Sequence, residues 1–343
     1  MKVLVTGSAG HLGEALARAC RERGDEVVGL DRLASEFTTR VGSIVDRGFV
    51  AGSMAGVEAV LHGATLHKPH VATHSRQDFV DVNVCGTLNL LEEAVVAGAR
   101  AFVFTSTTSV FGDAMAPPAG APAAWIDEEV SPIPRNIYGA TKRAAEDLCQ
   151  LFARNERLAG IVLRTSRFFP EVDDNAAVRA AFDDDNVKAN EYLYRRVAIE
   201  DVVDAHLLAL ERAPGIGFGK YIVSATTPFL PEDCAQLRLD APAVLRRRAP
   251  AAEAEYARRG WTMFASIGRI YDNSRARREL GWKPRYDFSA ILRQVAAGQG
   301  AATPLARIIG AKGYHAGAYS EGPYPVAPLL PASRGEGGRE AAG

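Results

Sequence analysis

The sequence has little of what marks several protein classes. Four cysteines in 343 residues (Cys20, Cys85, Cys149, Cys234) stand far apart with no C-x-x-C pair. This argues against a disulfide framework or a thiolate zinc site, and for reduced thiols in a cytoplasmic protein. No uncharged apolar run approaches the roughly 18 residues that a transmembrane helix needs, so no membrane partner is expected. Met1 to Gly7 reads as a short apolar strand without the hydrophobic region of a signal peptide. Charge of one sign is also missing. Forty basic residues against 41 acidic ones leave a formal net charge of −1, with no basic surplus to displace counterions from nucleic acid. His62, His67, His70 and His74 are clustered, but on a loop with Pro69 that offers no fixed ligand geometry, so no metal is expected. What is present is apolar content: 47% of residues are hydrophobic, enough to repay the entropy of folding over most of the chain.

That content is arranged in alternating short β-branched runs and longer helical patterns. Strands are predicted over Lys2–Thr6, Glu26–Leu30, Arg40–Ile44, Glu58–His62, Ala101–Ser106 and Gly160–Thr165, with Lys220–Val223 later. Helices are predicted over His11–Arg23, Ser75–Ala97 and from Asn136 to Asn155, separated from the fifth strand by a Pro- and Ala-rich loop over Met115–Pro134. This alternation predicts the α/β class: a doubly wound parallel sheet with a smaller discontinuous substrate-binding lobe. The expected division is residues 1–165 for a dinucleotide-binding domain, with 196–225 completing the sheet. Residues 166–195 and 226–298 form the lobe. Residues 299–343 form a Gly-, Ala- and Pro-rich tail, disordered at its end over Ser333–Gly343.

The most specific local pattern is Thr6-Gly7-Ser8-Ala9-Gly10-His11-Leu12-Gly13, directly after the first strand. Gly7 permits a tight turn, Gly10 a close backbone approach to a diphosphate, and Gly13 close packing of the helix on the sheet. The helix then presents free N–H groups and the positive end of its dipole. Asp31 ends the second strand, where a carboxylate can accept from an adenosine ribose diol and repel a 2′-phosphate, favouring NAD over NADP. Arg32 beside it blurs that preference, because it can pair with the same phosphate.

A second constellation is Tyr138-Gly-Ala-Thr-Lys142 at the start of a predicted helix. Residues four apart share a helical face, so the Lys142 ammonium is expected near the Tyr138 phenol, lowering its pKa toward working pH. Thr105-Ser-Thr107-Thr108-Ser109-Val-Phe-Gly112 crowds hydroxyls at the carboxyl end of the fifth strand, where open α/β sheets bind ligands.

Together these motifs, with Asn83-Val-Cys-Gly-Thr-Leu-Asn-Leu-Leu-Glu92, resemble the extended short-chain dehydrogenase/reductases of the NAD-dependent epimerase/dehydratase group. Two weaker echoes follow, Ile199–His206 and Ser274–Pro284, so the likeness spans about residues 1–290. The resemblance implies Thr107, Tyr138 and Lys142 as catalytic residues. It also implies cofactor contacts from Gly7, Gly10, His11, Leu12, Gly13, Asp31, Arg32, Ser43, Ile44, Ala64, Thr65, Asn83, Thr105, Tyr138 and Lys142. Tyr138 would take the hydroxyl proton as hydride leaves the same carbon for the nicotinamide. Asn83 would support the site from its helix, and the helices at 75–97 and 136–155 would build a homodimer interface.

Departures from the group's pattern bear on substrate. Thr108 and Ser109 stand where dehydratase members carry an acidic pair, which disfavours elimination of water. Ser43 replaces an aspartate that often contacts adenine. Arg167 stands where nucleotide-sugar epimerases usually carry an asparagine, and an expected arginine position is taken by Tyr194, with Arg195 and Arg196 beside it. The expected activity is therefore an NAD-dependent epimerase or dehydrogenase acting on a secondary hydroxyl of a sugar or nucleotide-sugar. Substrate contacts are assigned to Thr107, Thr108, His67 and Arg167. Two alternatives stand beside it. One is dehydrogenation of a small uronate-like sugar acid with Arg167 as carboxylate clamp, unless Arg167 only bridges to the acidic stretch at Asp173, Asp174 and Asp183–Asp185. The other is a non-catalytic NAD-binding scaffold on the same fold.

Overall fold

A computed structural model of the chain describes residues 1–173 and 175–312. The expected disordered end at 333–343 lies outside the described residues. Seven strands form a wholly parallel sheet: β1 (Lys2–Thr6), β2 (Glu26–Asp31), β3 (Arg40–Val41), β4 (Ala59–His62), β5 (Ala101–Thr107), β7 (Gly160–Thr165) and β8 (Phe218–Val223). Their spatial order is β3-β2-β1-β4-β5-β7-β8, so the winding direction reverses between β1 and β4. That switch point is where such sheets bind ligands, at the carboxyl ends of the strands. The central strands are fully buried on both faces, as their unbroken apolar runs require.

One face is covered by the helices His11–Glu22, Ile199–Ile216 and Ser274–Glu279, packed with Leu16, Val202, Ala209 and Trp282 against β1, β5 and β7. The other carries the helices Arg47–Ser53, Gly86–Val96 and Ile137–Asn155, with Leu90, Ala94, Ala145 and Cys149 on Phe102 and Phe104. A separate core joins Ala189, Leu193, Phe229, Leu237, Val244, Trp261, Phe288 and Ile291 into a smaller lobe over the strand ends.

Three segments differ from the sequence expectation. The span 75–97 is not one regular helix: Arg76–Val80 passes through a π-helical turn, Asp81–Cys85, into Gly86–Val96. The Pro- and Ala-rich loop contains strand β6 (Ala124–Ile126), which pairs with β9 (Arg269–Tyr271) and ties loop to lobe. Finally, residues 299–312 do not extend away. The short helix Pro304–Ile309 docks on the first helical layer, burying Ala306 and Ile309 in its core. No described helix is long and apolar enough to cross a membrane.

Candidate active site

A cleft of about 1110 Å³ opens over the carboxyl ends of β1, β4, β5 and β7. At one end lies the Gly7–Gly13 turn. Gly7 has φ +78°, and a Cβ there would sit 2.9 Å from the Ala64 nitrogen. A Cβ on Gly13 would come within 1.9 Å of the Gly7 carbonyl oxygen, so only glycine lets the helix start this close to β1. The helix is capped by Gly10, which offers no side-chain oxygen to its first amides. Those amides therefore stay available to an anion in the cleft.

Asp31 lies at the cleft edge beside Arg32. Its carboxylate accepts from the Ala9 amide at 3.0 Å and the Leu33 amide at 2.9 Å, which fixes it with lone pairs to spare for hydroxyl donors. Ser43, Ile44, Ala64 and Thr65 also line the wall. These groups fit a dinucleotide: a glycine cradle for the diphosphate and a held carboxylate for a ribose diol.

At the other end, Asn136 caps the helix Ile137–Asn155, its Oδ1 accepting from the Gly139 amide at 3.0 Å, and so sets Tyr138 in the first turn. Tyr138 lines the cleft beside the end of β5, close enough to Thr107 for that hydroxyl to act on its phenol. Thr107 and Thr108 are buried and line the cleft. Lys142 and Asn83 lie behind the wall rather than on it. The Lys142 ammonium is 4.0 Å from the centre of the Phe104 ring. Asn83, on the π-helical turn, accepts from Thr65 Oγ1 and the Leu66 amide, both at 2.8 Å. Its own amide donates to Leu66 O and Thr141 Oγ1, both at 3.1 Å. It therefore couples the loop after β4 to the helix of Tyr138, holding the site without touching the cleft.

The expected lowering of Tyr138 by Lys142 is not what the structure has. Burial dominates and pushes the phenol up to about 12, with the neighbouring Thr107 hydroxyl working the other way. Burial likewise pushes Lys142 down to about 7, opposed by the charge of Glu146 one turn on. The two residues share a helical face, but the dry environment sets their protonation.

The histidines separate by role. His62 is buried between Thr6 Oγ1 (2.7 Å) and Thr87 Oγ1 (2.9 Å) and is part of the core. His67, His70 and His74 line the cleft. The His67 ring packs 6.3 Å from Tyr138 and edge-on to Phe169 at 5.8 Å, and burial holds it neutral, down to about 3. No group of three or more potential metal ligands converges among the described residues. Thr105 lines the cleft, but its hydroxyl bonds His206 Nε2 at 2.8 Å, so that hydroxyl is engaged at the back of the sheet.

Arg167 also lines the cleft, and its guanidinium is held there. It donates to Asp173 at 3.3 Å and to Val172 O at 3.0 Å, and lies 3.8 Å from Glu191. Glu191 is fully buried and bound by Arg195 and Arg196, which with Arg167 hold its carboxyl well below the usual range against burial. Of the acidic residues weighed as a bridge, Asp173 pairs with Arg167, while Asp174 lies outside the described residues. Sequence reasoning missed Arg135, Arg269, Tyr271 and Lys312, which also reach the cleft. The last three come from the lobe and the C-terminal segment, and no local motif marks them.

Comparison with known proteins agrees with this geometry. The family model described as "NAD dependent epimerase/dehydratase family" matches residues 3–221, more than half of the chain. A UDP-glucose 4-epimerase of Streptomyces lividans is 28% identical over 249 residues, covering 62% of this chain and 73% of its own. One of Erwinia amylovora is 32% identical over 184 residues, covering 48% of this chain and about half (52%) of its own. The crystal structure of a short-chain dehydrogenase/reductase superfamily protein from Agrobacterium tumefaciens with bound NAD shares the fold. Its TM-score is 0.63 at 24% identity, over 87% of this chain and 97% of that one. The parallel sheet, the glycine turn at its switch point and the extent of the family match lead to one conclusion: the chain belongs to the NAD dependent epimerase/dehydratase family.

Proposed function

We propose that this enzyme carries out hydride transfer at a secondary hydroxyl of a sugar or nucleotide-sugar, with NAD as hydride carrier and Tyr138 as acid/base. The observation that carries the reading is that Thr107 and Tyr138 line the same cleft as the Gly7–Gly13 turn. The two aligned relatives named UDP-glucose 4-epimerase support a sugar substrate. Bound NAD supplies the electrophilic nicotinamide carbon that takes or returns the hydride.

The chain's own residues do the rest. The amides opening the helix His11–Glu22 face the diphosphate, and Asp31 accepts from the adenosine ribose while repelling a 2′-phosphate. Thr107 orients the substrate carbinol. Burial keeps Tyr138 protonated at neutral pH, the form that can donate to a carbonyl. Taking a proton instead requires positive charge beside the phenol, and Lys142 is the cation on its helical face. Thr108 and Ser109 offer no carboxyl pair for dehydration. The uronate alternative is supported less well, because Arg167 is engaged by Asp173 and Glu191.

The test is a panel of uronates, free aldoses and UDP-sugars with NADH release followed by absorbance. A dehydrogenase accumulates NADH; an epimerase interconverts sugars and retains it. Tyr138→Phe is expected to abolish turnover while NAD still binds. Full activity in that variant refutes the assignment.

A further inference from the structure

The C-terminal segment forms a strap over the start of the helix that follows the glycine turn. Thr303 Oγ1 donates to Glu200 Oε2 at 2.6 Å and the Leu305 amide to Glu200 Oε1 at 2.7 Å, anchoring the strap to the helix Ile199–Ile216. Ala306 and Ile309 are buried in the first helical layer. The strap then crosses to the turn itself, where His11 Nδ1 bonds Gly310 O at 3.1 Å. Because a carbonyl can only accept, Nδ1 carries the proton. Two residues on, Lys312 Nζ pairs with Glu14 Oε2 at 2.5 Å and lines the cleft beside Gly10, His11 and Gly13.

The charges at this corner single out Lys312. Glu14 places a carboxylate in the first helical turn, where it opposes an incoming diphosphate. Two cations compensate it, Arg18 at 2.8 Å and Lys312, but of these only Lys312 lines the cleft. His11 adds no charge, since burial beside Phe168 and Phe169 keeps its ring neutral, down to about 4. A lysine has three donors, and Glu14 engages one.

Resting on the dinucleotide reading above, we infer that Lys312, delivered by the strap Thr303–Lys312, is a binding residue for the cofactor diphosphate. One N–H holds Glu14 and another faces the phosphate oxygens. The diphosphate site is then completed by residues nearly 300 positions from the glycine turn, and no motif of the turn contains them.

Calorimetric titration with NAD, ADP-ribose and adenosine tests this on the full chain. Lys312→Gln is expected to weaken NAD and ADP-ribose by about five- to tenfold at low ionic strength, less at high salt, as for any partly exposed charge contact. Adenosine, which lacks the diphosphate, binds as before, and Lys312→Arg keeps most of the affinity. The same loss is expected in a Glu14→Gln background. If it vanishes there, Lys312 only neutralises Glu14 and the inference is overturned. Wild-type NAD affinity in Lys312→Gln overturns it alone. A wild-type chain that binds neither NAD nor ADP-ribose overturns the functional reading and this inference with it.

Discussion

Replacing Glu146 by glutamine probes the buried charges of the helix Ile137–Asn155. Glu146 is fully buried on the face of Lys142, one turn on. Its carboxylate accepts from Ser106 Oγ at 2.5 Å, from Arg164 Nε at 3.1 and 3.2 Å, and from Arg164 Nη2 at 2.7 Å. Arg164 is itself 3% exposed, stacked 4.9 Å from the Phe111 ring centre, and its Nη1 has no hydrogen-bond partner among the described residues. Glutamine keeps the volume and one acceptor oxygen but strands the guanidinium without a counter-charge. Breaking a buried pair by removing one partner costs about 3–5 kcal/mol. The retained acceptor places this variant near the low end. Denaturant unfolding of wild type and variant reads the difference. Glu146→Leu combined with Arg164→Met removes both charges and should recover part of the loss, less what Ser106, Lys142 and Lys220 forfeit. The same substitution acts on chemistry: the Glu146 charge props up Lys142, so its removal moves any Lys142-dependent limb of the pH–rate profile to lower pH. A Glu146→Gln protein within about 0.5 kcal/mol of wild type, well below the cost above, with an unmoved pH profile, refutes this account.

Other perturbations have equally definite outcomes. Gly13→Ala forces a Cβ to 1.9 Å from the Gly7 carbonyl. Backbone must shift, at a cost of about 1–3 kcal/mol or more, and NAD titration should show the turn's affinity largely lost. Lys142 titrates near 7 when folded and at its ordinary 10.5 when unfolded, so between those values the unfolded chain binds more protons and stability rises with pH. Wild type should therefore gain on Lys142→Met across that window, by at most about 1.4 kcal/mol per pH unit. Burial of Tyr138 works in the opposite sense, but only above its ordinary value of 10. Arg167→Ala removes a partner of Asp173 and Glu191. It should cost about 1–2 kcal/mol of stability and change KM for neutral and acidic sugars alike. A loss confined to uronates would restore the clamp.

Which of these features the sequence disclosed follows from how local their causes are. The seven parallel strands were legible because the central ones are short apolar runs buried on both faces and the others repeat at the same spacing. The glycine turn was legible because steric limits act within eight residues. The π-helical turn at Asp81–Cys85 was not: one extra residue in a helix leaves the apolar pattern almost intact, yet it is what aims Asn83 at Leu66 and Thr141. Strand β6 was hidden because three residues in a Pro- and Ala-rich loop become a strand only when Arg269–Tyr271 comes alongside. For Tyr138 and Lys142 the spacing disclosed proximity along one face. Their protonation depends on burial by β5 and the loop after β4, which no i, i+4 pattern reports. The docking of residues 303–312 was masked by a composition that reads as a tail, although two buried side chains and Glu200 suffice to hold it.

The near-neutral composition acquires a different meaning from this geometry. A net charge of −1 gives the whole molecule no field that attracts an anion. The cleft differs: Arg32, Lys68, Arg135, Arg167, Arg195, Arg269 and Lys312 line it, against Asp31 and Glu171. Two of those cations are already committed to Glu191 and Asp173, and Arg135 to Asp113 at 2.6 Å. Local charge, focused at the strand ends where water is partly excluded, acts at short range where Coulomb attraction is least screened. An anionic cofactor and substrate would then be selected at the site rather than steered from a distance. Salt should weaken their affinity through these contacts, while the long-range enhancement of association rate expected of a strongly charged protein should be absent.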